Sequence, residues 1–263
     1  MKKVICILKS LLPMLFWLGI QSAVSSLFLL TGSLIGKGPL WAAGRDLPYV
    51  ISVLANGITF LLGYLWLQKR QKENSGQARR FSLGAAAGLL VVGVAFQLIV
   101  SLLLVSAQVM FPKAMESYAQ VLENLGVFAP SLFSVLYTVV FAPLTEEMVF
   151  RGMTLRILEE ELPFAAANVL QAVLFALIHG NLVQSSYAFL AGLLLGYVVK
   201  RYGKISAAVW CHFAVNASGL FLGDISPQGT LLLLVISAGI LLIFVIIGKK
   251  GEKKNIEYDV KGE

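Results

Sequence analysis

The chain has 263 residues, of which 58% are hydrophobic and 13% are charged, and its mean hydropathy is +0.82. A soluble domain carries about 25% charged residues, so the composition excludes a soluble enzyme, a secreted disulfide scaffold and a disordered protein. The net charge of +7 does not indicate a nucleic acid partner, because the basic residues flank apolar blocks instead of forming one patch. The composition therefore predicts a multi-pass membrane protein surrounded by the lipid bilayer.

Eight apolar blocks follow one another along the chain, each near the length of about 20 residues that crosses a bilayer as a helix. The first block is preceded by two lysines and resembles a signal peptide, but seven further blocks favour a retained first span. We expect an all-α transmembrane bundle of about eight spans. The blocks cover residues 10–31, 47–68, 81–107, from 130 onward, 163–180, 183–199, 205–222 and 229–248.

Basic residues sort strongly between the two sides of this arrangement. If the N-terminus is inside, eighteen of the 21 basic residues fall in inner segments, and only Lys37, Arg45 and Lys113 fall in outer ones. Basic residues accumulate in cytoplasmic loops. The pattern predicts that both termini, including the basic tail 249–263, are cytoplasmic.

Small residues in the apolar blocks suggest packing roles. Glycines four apart, in the runs 84–88 and 192–196, form a flat strip on which another helix can approach closely. We expect both strips to pack helices within one chain. Cys6 and Cys211 lie in distant apolar runs and are expected to be small apolar fillers instead of a disulfide.

The apolar blocks contain few ionisable residues, and these concentrate in the C-terminal half. Of the 14 acidic residues, only Glu146 and Glu147 lie inside a span, and both histidines of the chain, His179 and His212, lie in spans as well. Ionisable groups inside a membrane are costly, usually face a cavity and mark function. These residues therefore predict a functional site.

Their spacing predicts which of them pair. Glu147 and Arg151 are four residues apart and share one helix face, so Arg151 can neutralise Glu147. Glu146 lies about 100° further round the helix and points elsewhere. His212 and Asn216 are also four residues apart, which places an imidazole and an amide on one stripe.

The depth of each residue depends on the length of the fourth helix. At about 1.5 Å per residue, Glu146 lies about 20 Å and His179 about 24 Å above the inner surface, if this helix continues to about Glu159. His212 then lies about 12 Å deep, and the groups can meet near the bilayer centre with Arg151 buried. If Arg151 instead marks the surface, Glu146 is only about 7 Å deep and misses His179.

Such a group of residues can hydrolyse an amide bond. A carboxylate in an apolar setting and an imidazole can activate a water molecule, as Glu146 and His179 would. A second imidazole and an amide, as in His212 and Asn216, can donate hydrogen bonds to an oxyanion. Alternatively, Glu146, His179 and His212 can ligate zinc, with water as the fourth ligand. The sequence leaves metal-assisted and metal-free activation open.

Three motifs in this order resemble one family. Residues 146–151 have the form E-E-x-x-x-R, residues 175–179 the form F-x-x-x-H, and residues 212–216 the form H-x-x-x-N. Together they are similar to the motifs of the CAAX protease and bacteriocin-processing family of intramembrane endopeptidases, which includes the type II CAAX prenyl endopeptidases. Each motif alone is common, but three on successive apolar segments are specific.

The resemblance implies roles for these residues. Glu146 would activate water with the help of His179, and His212 with Asn216 would stabilise the oxyanion. The family has been described both as metalloproteases and as glutamate-dependent proteases, so a zinc cofactor stays open.

The resemblance also implies supporting residues and a division of the chain. Glu147 and Arg151 would shape and support the site. Residues 129–222 would form the catalytic core, residues 1–128 would add spans of unknown role, and residues 223–263 would add a last span and the basic tail.

The implied substrates are membrane-embedded or lipidated peptides. Eukaryotic members remove the last three residues after a prenylated cysteine, and bacterial relatives are linked to peptide pheromone or bacteriocin maturation and to bacteriocin immunity. We expect a protein of a bacterial cell membrane. A non-catalytic immunity factor or a small transporter is the alternative, because intramembrane carboxylates and histidines also relay protons.

Overall fold

The computed structural model describes residues 1–34, 46–71, 82–221 and 233–247, and all regular secondary structure within these ranges is helical. This confirms the predicted all-α class. The helices are α1 (Lys2–Ser10), α2 (Leu12–Leu34), α3 (Leu47–Gln71), α4 (Leu83–Met110), α5 (Pro112–Asn124), α6 (Leu132–Glu159), α7 (Phe164–Leu177), α8 (Leu182–Tyr202), α9 (Ile205–Phe221) and α10 (Leu233–Ile247).

Five of these segments are long and apolar enough to cross a membrane: α1 with α2, α3, α4, α6 and α8. The predicted spans that correspond to α7, α9 and α10 are shorter apolar helices. Large apolar side chains such as Leu61, Leu103 and Ile243 point outward, as expected on a surface covered by lipid tails. The chain is therefore an integral multi-pass membrane protein with a helical bundle.

The count of eight spans and the cytoplasmic termini stay predictions. The basic tail 249–263 and the loop residues Lys37 and Arg45 lie outside the described residues.

The chain divides into two compact units. The first comprises residues 1–80 and 112–209, which hold α1–α3, α5–α8 and the beginning of α9. The second comprises residues 81–111 and 210–263, which hold α4, the remainder of α9 and α10. The division of roles at residues 128 and 222 stays a prediction.

Helix α6 is the long fourth helix that the site requires. Ser131 caps its start, where the side-chain oxygen accepts a hydrogen bond from the Ser134 amide at 3.1 Å. A π-helical turn, Tyr137–Phe141, ends two residues before Pro143. Proline can neither donate a backbone hydrogen bond nor accommodate the carbonyl four residues earlier. A second π-helical stretch covers Met148–Thr154, and the helix ends at Glu159 as expected.

Helices α7 and α8 form a tight hairpin in the first unit. A Cβ on Gly192 would lie 2.8 Å from the Ala172 Cβ and 2.9 Å from the Ala172 Cα, and a Cβ on Gly196 would overlap the Asn168 side chain. The small-residue strip of α8 is thus packed against α7 inside the chain, which confirms the prediction for residues 192–196.

The strip at residues 84–88 is different, and its prediction is wrong for the part of the chain that is described. A Cβ on Gly88 would meet no atom within 4 Å. The close approach on α4 is five residues further along, where a Cβ on Gly93 would overlap the Cys211 carbonyl oxygen of α9 within the second unit. Glycine spacing alone therefore does not identify the packed face.

Helix α5 lies in the gap between the third and fourth predicted spans. It starts at Pro112 and packs on α8 through a hydrogen bond of 2.8 Å between the hydroxyls of Tyr118 and Tyr187. Burial raises the pKa of Tyr118, because the phenolate would lose its hydration. The Tyr49 hydroxyl donates to the carbonyl of Leu125 just beyond the end of α5.

Both cysteines are buried thiols and do not form a disulfide with each other, in agreement with the prediction. The Cys6 thiol donates to the Ile157 carbonyl at 3.0 Å and so links α1 to the end of α6.

We expect Gly192→Ala to lower stability by about 1–3 kcal/mol, since the added methyl group must displace the α7 backbone. Gly88→Ala is the matched control, and it should leave stability unchanged or raise it slightly because alanine favours a helix. Thermal unfolding in detergent measures both. Equal effects of the two substitutions would contradict the tight α7–α8 packing.

Candidate active site

The two adjacent glutamates of α6 have different environments. Glu147 is fully buried, whereas Glu146 is half-buried. Neighbouring positions on a helix point about 100° apart, and here this turns one carboxylate into the protein interior. The predicted divergence of the two side chains is confirmed.

Glu147 pairs with Arg151. The Arg151 Nη1 donates to the Glu147 Oε1 at 2.9 Å, and both side chains are fully buried. The Arg151 Nη2 also donates to the Gly192 carbonyl at 3.3 Å. Arg151 is therefore the buried counter-ion that the long-helix placement requires, and not a residue at the protein surface.

Phe175 joins the first motif to the second. Its ring packs edge-to-face against Phe150 of α6, with centroids 5.1 Å apart, and the Arg151 guanidinium lies 4.4 Å from its centre. Its other neighbour is the His179 ring, edge-to-face at 5.1 Å. The phenylalanine of the F-x-x-x-H motif thus holds the arginine of one motif and the histidine of the other.

His179 follows the end of α7, at the turn into α8. Gly180 has a φ of 69°, which a glycine adopts without strain, and Asn181 caps α8 by accepting from the Gln184 amide at 2.8 Å. The His179 Nδ1 lies 2.9 Å from the Phe175 carbonyl oxygen. A carbonyl only accepts, so in the neutral ring Nδ1 carries the proton and Nε2 presents a lone pair.

His212 and Asn216 belong to the part of α9 in the second unit. His212 is buried and Asn216 is half-buried. On this helix, Ala214 and Cys211 pack on Gly93 of α4, and Gly219 approaches the Gln97 side chain of the same helix. The convergence of these two residues with Glu146 and His179 stays a prediction.

Several polar residues near the site were not predicted. On α7, the Gln171 Nε2 donates to the Gly192 carbonyl at 2.8 Å, the same oxygen that Arg151 uses, and to the Asn168 Oδ1 at 2.8 Å. Asn168 in turn donates to the Leu193 carbonyl. The sequence signal was the presence of two amides three residues apart in an apolar block.

Asn56 of α3 was also not predicted, because it is a single amide in an apolar run. It is fully buried, its side chain accepts a hydrogen bond from the Trp17 Nε1 at 2.8 Å, and its backbone carbonyl accepts one from the Thr145 hydroxyl at 3.2 Å. The residue next to Glu146 is thus held by a helix that lies outside all three motifs.

The donor groups bear on the metal alternative. Of the three predicted zinc ligands, Glu146 and His179 lie in the first unit. The described residues of this unit contain no group of three His, Cys, Asp or Glu side chains that can hold a metal ion. A catalytic zinc normally has three protein ligands. Such a site would need His212 as well.

Residues 128–218 match the family model described as "Type II CAAX prenyl endopeptidase Rce1-like". No curated protein and no solved structure matches the chain. The matched segment contains all three motifs, so the resemblance seen in the sequence is confirmed. The match indicates a protease of the CAAX type within the membrane.

We expect Arg151→Ala to destabilise the fold by about 3–5 kcal/mol, because it leaves the buried Glu147 carboxylate without its counter-ion. Folded yield and thermal unfolding in detergent measure this effect. The double variant Glu147→Gln with Arg151→Gln should recover part of the loss, since no isolated charge stays buried.

A matched control breaks an exposed ion pair. Lys200 and Glu159 lie 3.1 Å apart at the protein surface, and Glu159→Gln should cost about 1 kcal/mol or less. If Arg151→Ala folded as well as Glu159→Gln, the burial of the Glu147–Arg151 pair would be wrong.

Proposed function

We propose that this chain is an intramembrane endopeptidase that hydrolyses peptide bonds of membrane-embedded or lipidated peptides, CAAX-type prenylated peptides included. The observation that carries the proposal is the unequal use of the two glutamates. Glu147 is fully buried and bound to Arg151, whereas Glu146 is half-buried, and partial exposure is what a carboxylate that takes a proton from water requires.

In the proposed reaction, Glu146 is the general base. Its carboxylate takes a proton from a water molecule as the oxygen attacks the scissile carbonyl carbon. The tetrahedral intermediate then collapses, the C–N bond breaks, and the proton passes from Glu146 to the leaving amine nitrogen. Water is consumed and no covalent enzyme intermediate forms.

His179 is the proposed partner of Glu146 in holding the water. Its Nδ1–H is engaged by the Phe175 carbonyl at 2.9 Å, so Nε2 accepts the second hydrogen atom of the water while Glu146 accepts the first. The hydrogen bond to Phe175 fixes both the tautomer and the direction of the ring. Positioning of this kind accelerates hydrolysis because the attacking oxygen is already oriented.

His212 and Asn216 are the proposed oxyanion donors. They share one stripe of α9, and an imidazole N–H and an amide N–H aimed at one point stabilise the negative charge of the tetrahedral intermediate. Glu147 and Arg151 are proposed as supporting residues that hold α6 in place beside α7 and α8.

The metal-assisted alternative uses the same residues. Zinc held by Glu146, His179 and His212 would lower the pKa of a bound water. The Nε2 of His179 suits this role equally, because metal-ligating histidines commonly donate their other N–H to a carbonyl. We favour Glu146 as a base, since the first unit holds only two of the three ligands, Glu146 and His179, and the third would have to come from the second unit.

The substrate class follows from the surroundings of the site. Glu146 lies on a helix long and apolar enough to cross the membrane, so the peptide must reach a site at the level of the bilayer. Prenylated CAAX-type peptides, peptide pheromones and bacteriocin precursors in a bacterial membrane fit this requirement.

We expect Glu146→Gln to reduce hydrolysis by at least about 100-fold, since the amide cannot take the proton from water. Cleavage of a lipidated peptide by the chain reconstituted in vesicles measures the rate, and the thermal unfolding temperature should not change. The control Glu116→Gln, on the exposed face of α5, should retain full activity.

The same pair of variants separates the enzyme from a binding protein. If Glu146→Gln kept the biological effect of the wild-type chain in cells while no peptide was processed by either, a non-catalytic immunity factor or transporter would replace the protease. Mass spectrometry of the membrane peptides from cells with the wild-type chain and from cells with Glu146→Gln reveals the processing.

Metal dependence has a direct test. We expect the purified chain to contain less than one equivalent of zinc and to keep its hydrolytic activity after dialysis against a chelator. Elemental analysis by mass spectrometry gives the metal content, independently of activity. Stoichiometric zinc that is lost in the His179→Ala variant, together with activity restored only by added metal, would establish the metal-assisted route.

A further inference from the structure

The Tyr137 side chain lies between helix α3 and the candidate base. It begins the π-helical turn of α6, Tyr137–Phe141, and is half-buried. Its ring packs against the ring of Tyr49 on α3, with centroids 5.8 Å apart, and its hydroxyl faces the Asn56 side chain as a hydrogen-bond partner. Because Asn56 follows Tyr49 by about two turns of α3, Tyr137 extends along α3 from one residue to the other.

The contacts of Asn56 show where on α6 the Tyr137 hydroxyl lies. The Asn56 backbone carbonyl accepts a hydrogen bond from the Thr145 hydroxyl at 3.2 Å. Asn56 therefore contacts both the Tyr137 hydroxyl and the residue directly before Glu146. Cα–Cβ bonds tilt toward the N-terminus of a helix, so the Glu146 side chain leans back toward Tyr137. The Glu146 carboxylate is near enough for its charge to act on the Tyr137 hydroxyl.

The π-helical turn brings these two side chains toward one face of α6. Glu146 follows Tyr137 by nine positions, and in a regular α-helix this spacing places side chains on opposite faces, since each residue turns by about 100°. A π-helical turn accommodates one extra residue, and such turns are frequent at functional sites. The turn at Tyr137–Phe141 therefore rotates Tyr137 to about a quarter turn from Glu146.

The direction of the Tyr137 hydroxyl proton follows from the donors around Asn56. The indole Nε1–H of Trp17 is a donor only, and it lies 2.8 Å from the Asn56 Oδ1, which also accepts from the Gln21 side chain at 3.3 Å. The amide oxygen is thus held on the side of α2, and the Nδ2 group donates to the Tyr137 oxygen. A phenol has a single proton, so Tyr137 presents its O–H to a different acceptor.

The water molecule of the proposed reaction brings such an acceptor. It donates its two hydrogen atoms to Glu146 and His179 and uses one lone pair for the attack, so its second lone pair can accept a hydrogen bond. We infer that Tyr137 is a catalytic residue, whose O–H donates a hydrogen bond to the water that Glu146 activates.

This hydrogen bond orients the attacking oxygen before the reaction, which accelerates hydrolysis. The Tyr137 proton stays on its oxygen throughout, and no bond to Tyr137 is made or broken. The inference rests on the proposed function of Glu146 and deepens it. It gives helices α2 and α3 a role, since Trp17 of α2 orients the Asn56 amide, and this amide orients the hydroxyl of Tyr137.

The test uses Tyr137→Phe in the full-length chain, reconstituted in vesicles with a farnesylated peptide as substrate. The substitution removes the hydroxyl and keeps the ring against Tyr49. We expect kcat to fall about tenfold, the effect of one lost hydrogen bond. KM should stay within about twofold of the wild type, because the lost bond acts on the water and not on the bound peptide. Tyr49→Phe is the matched control and should leave kcat unchanged, since the Tyr49 hydroxyl donates to the Leu125 carbonyl.

A second comparison covers the case in which Tyr137→Phe does not fold because the buried Asn56 amide loses its acceptor. The double variant Trp17→Phe with Asn56→Leu replaces the polar groups that hold the hydroxyl, and the triple variant adds Tyr137→Phe. Neither variant leaves a buried indole or amide donor without a partner. We expect kcat of the triple variant to be about threefold lower than that of the double variant, which keeps the hydroxyl without its anchor.

Thermal unfolding in detergent shows which variants are folded, and Glu146→Gln separates this inference from the proposed function. Wild-type kcat in folded Tyr137→Phe, equal kcat in the double and triple variants, a loss confined to KM, or an equal loss in Tyr49→Phe would overturn the role of Tyr137. If Glu146→Gln hydrolysed the peptide as fast as the wild type, the proposed function would fail. An inactive Glu146→Gln beside a fully active Tyr137→Phe would remove the role of Tyr137 alone.

Discussion

The first unit depends on the neutralisation of Glu147 by Arg151. Two charged side chains without solvent exposure are tolerated only when they pair and hydrogen-bond, and here the guanidinium also reaches the Gly192 carbonyl and the face of Phe175. These contacts attach α6 to α7 and α8 at the same level. The two adjacent glutamates thereby lie in different environments, since Glu147 is fully buried with Arg151 and Glu146 is half-buried.

The geometry of the candidate site depends on the packing of α7 on α8. Gly192 presents its carbonyl to both Arg151 and Gln171, and it can do so because the absence of a side chain lets Ala172 come within van der Waals contact. Phe175 then lies between the ion pair and His179. A side chain at position 192 would push α7 away and displace the histidine together with the arginine, so packing and chemistry share the same residues.

Local spacing predicted the features that a single helix determines. The pairing of Glu147 with Arg151 and the divergence of Glu146 follow from 3.6 residues per turn. The continuation of α6 to Glu159 was one of two cases and followed from the depth that the site residues need at about 1.5 Å per residue. Contacts between different helices were not predictable from spacing. The strip at 84–88 has the same glycine spacing as the strip at 192–196, but a Cβ on Gly88 would meet no atom within 4 Å. Asn56 looked like one amide in an apolar run until its partners on α2 and α6 were known.

The N-terminal helices therefore belong to the working unit, although the family match begins at residue 128. Helix α6 is held on one side by α7 and α8, and on the other by α1–α3. The Cys6 thiol and the Ser10 carbonyl bond to residues at the end of α6, and Asn56 bonds to Thr145 near its middle. Without these contacts the buried hydroxyls of Thr145 and Thr154 would lose their acceptors. The helix that carries Glu146 would then pack only against α7 and α8. The three motifs predict the chemistry, but the position of Glu146, the proposed base, depends on helices that contain none of them.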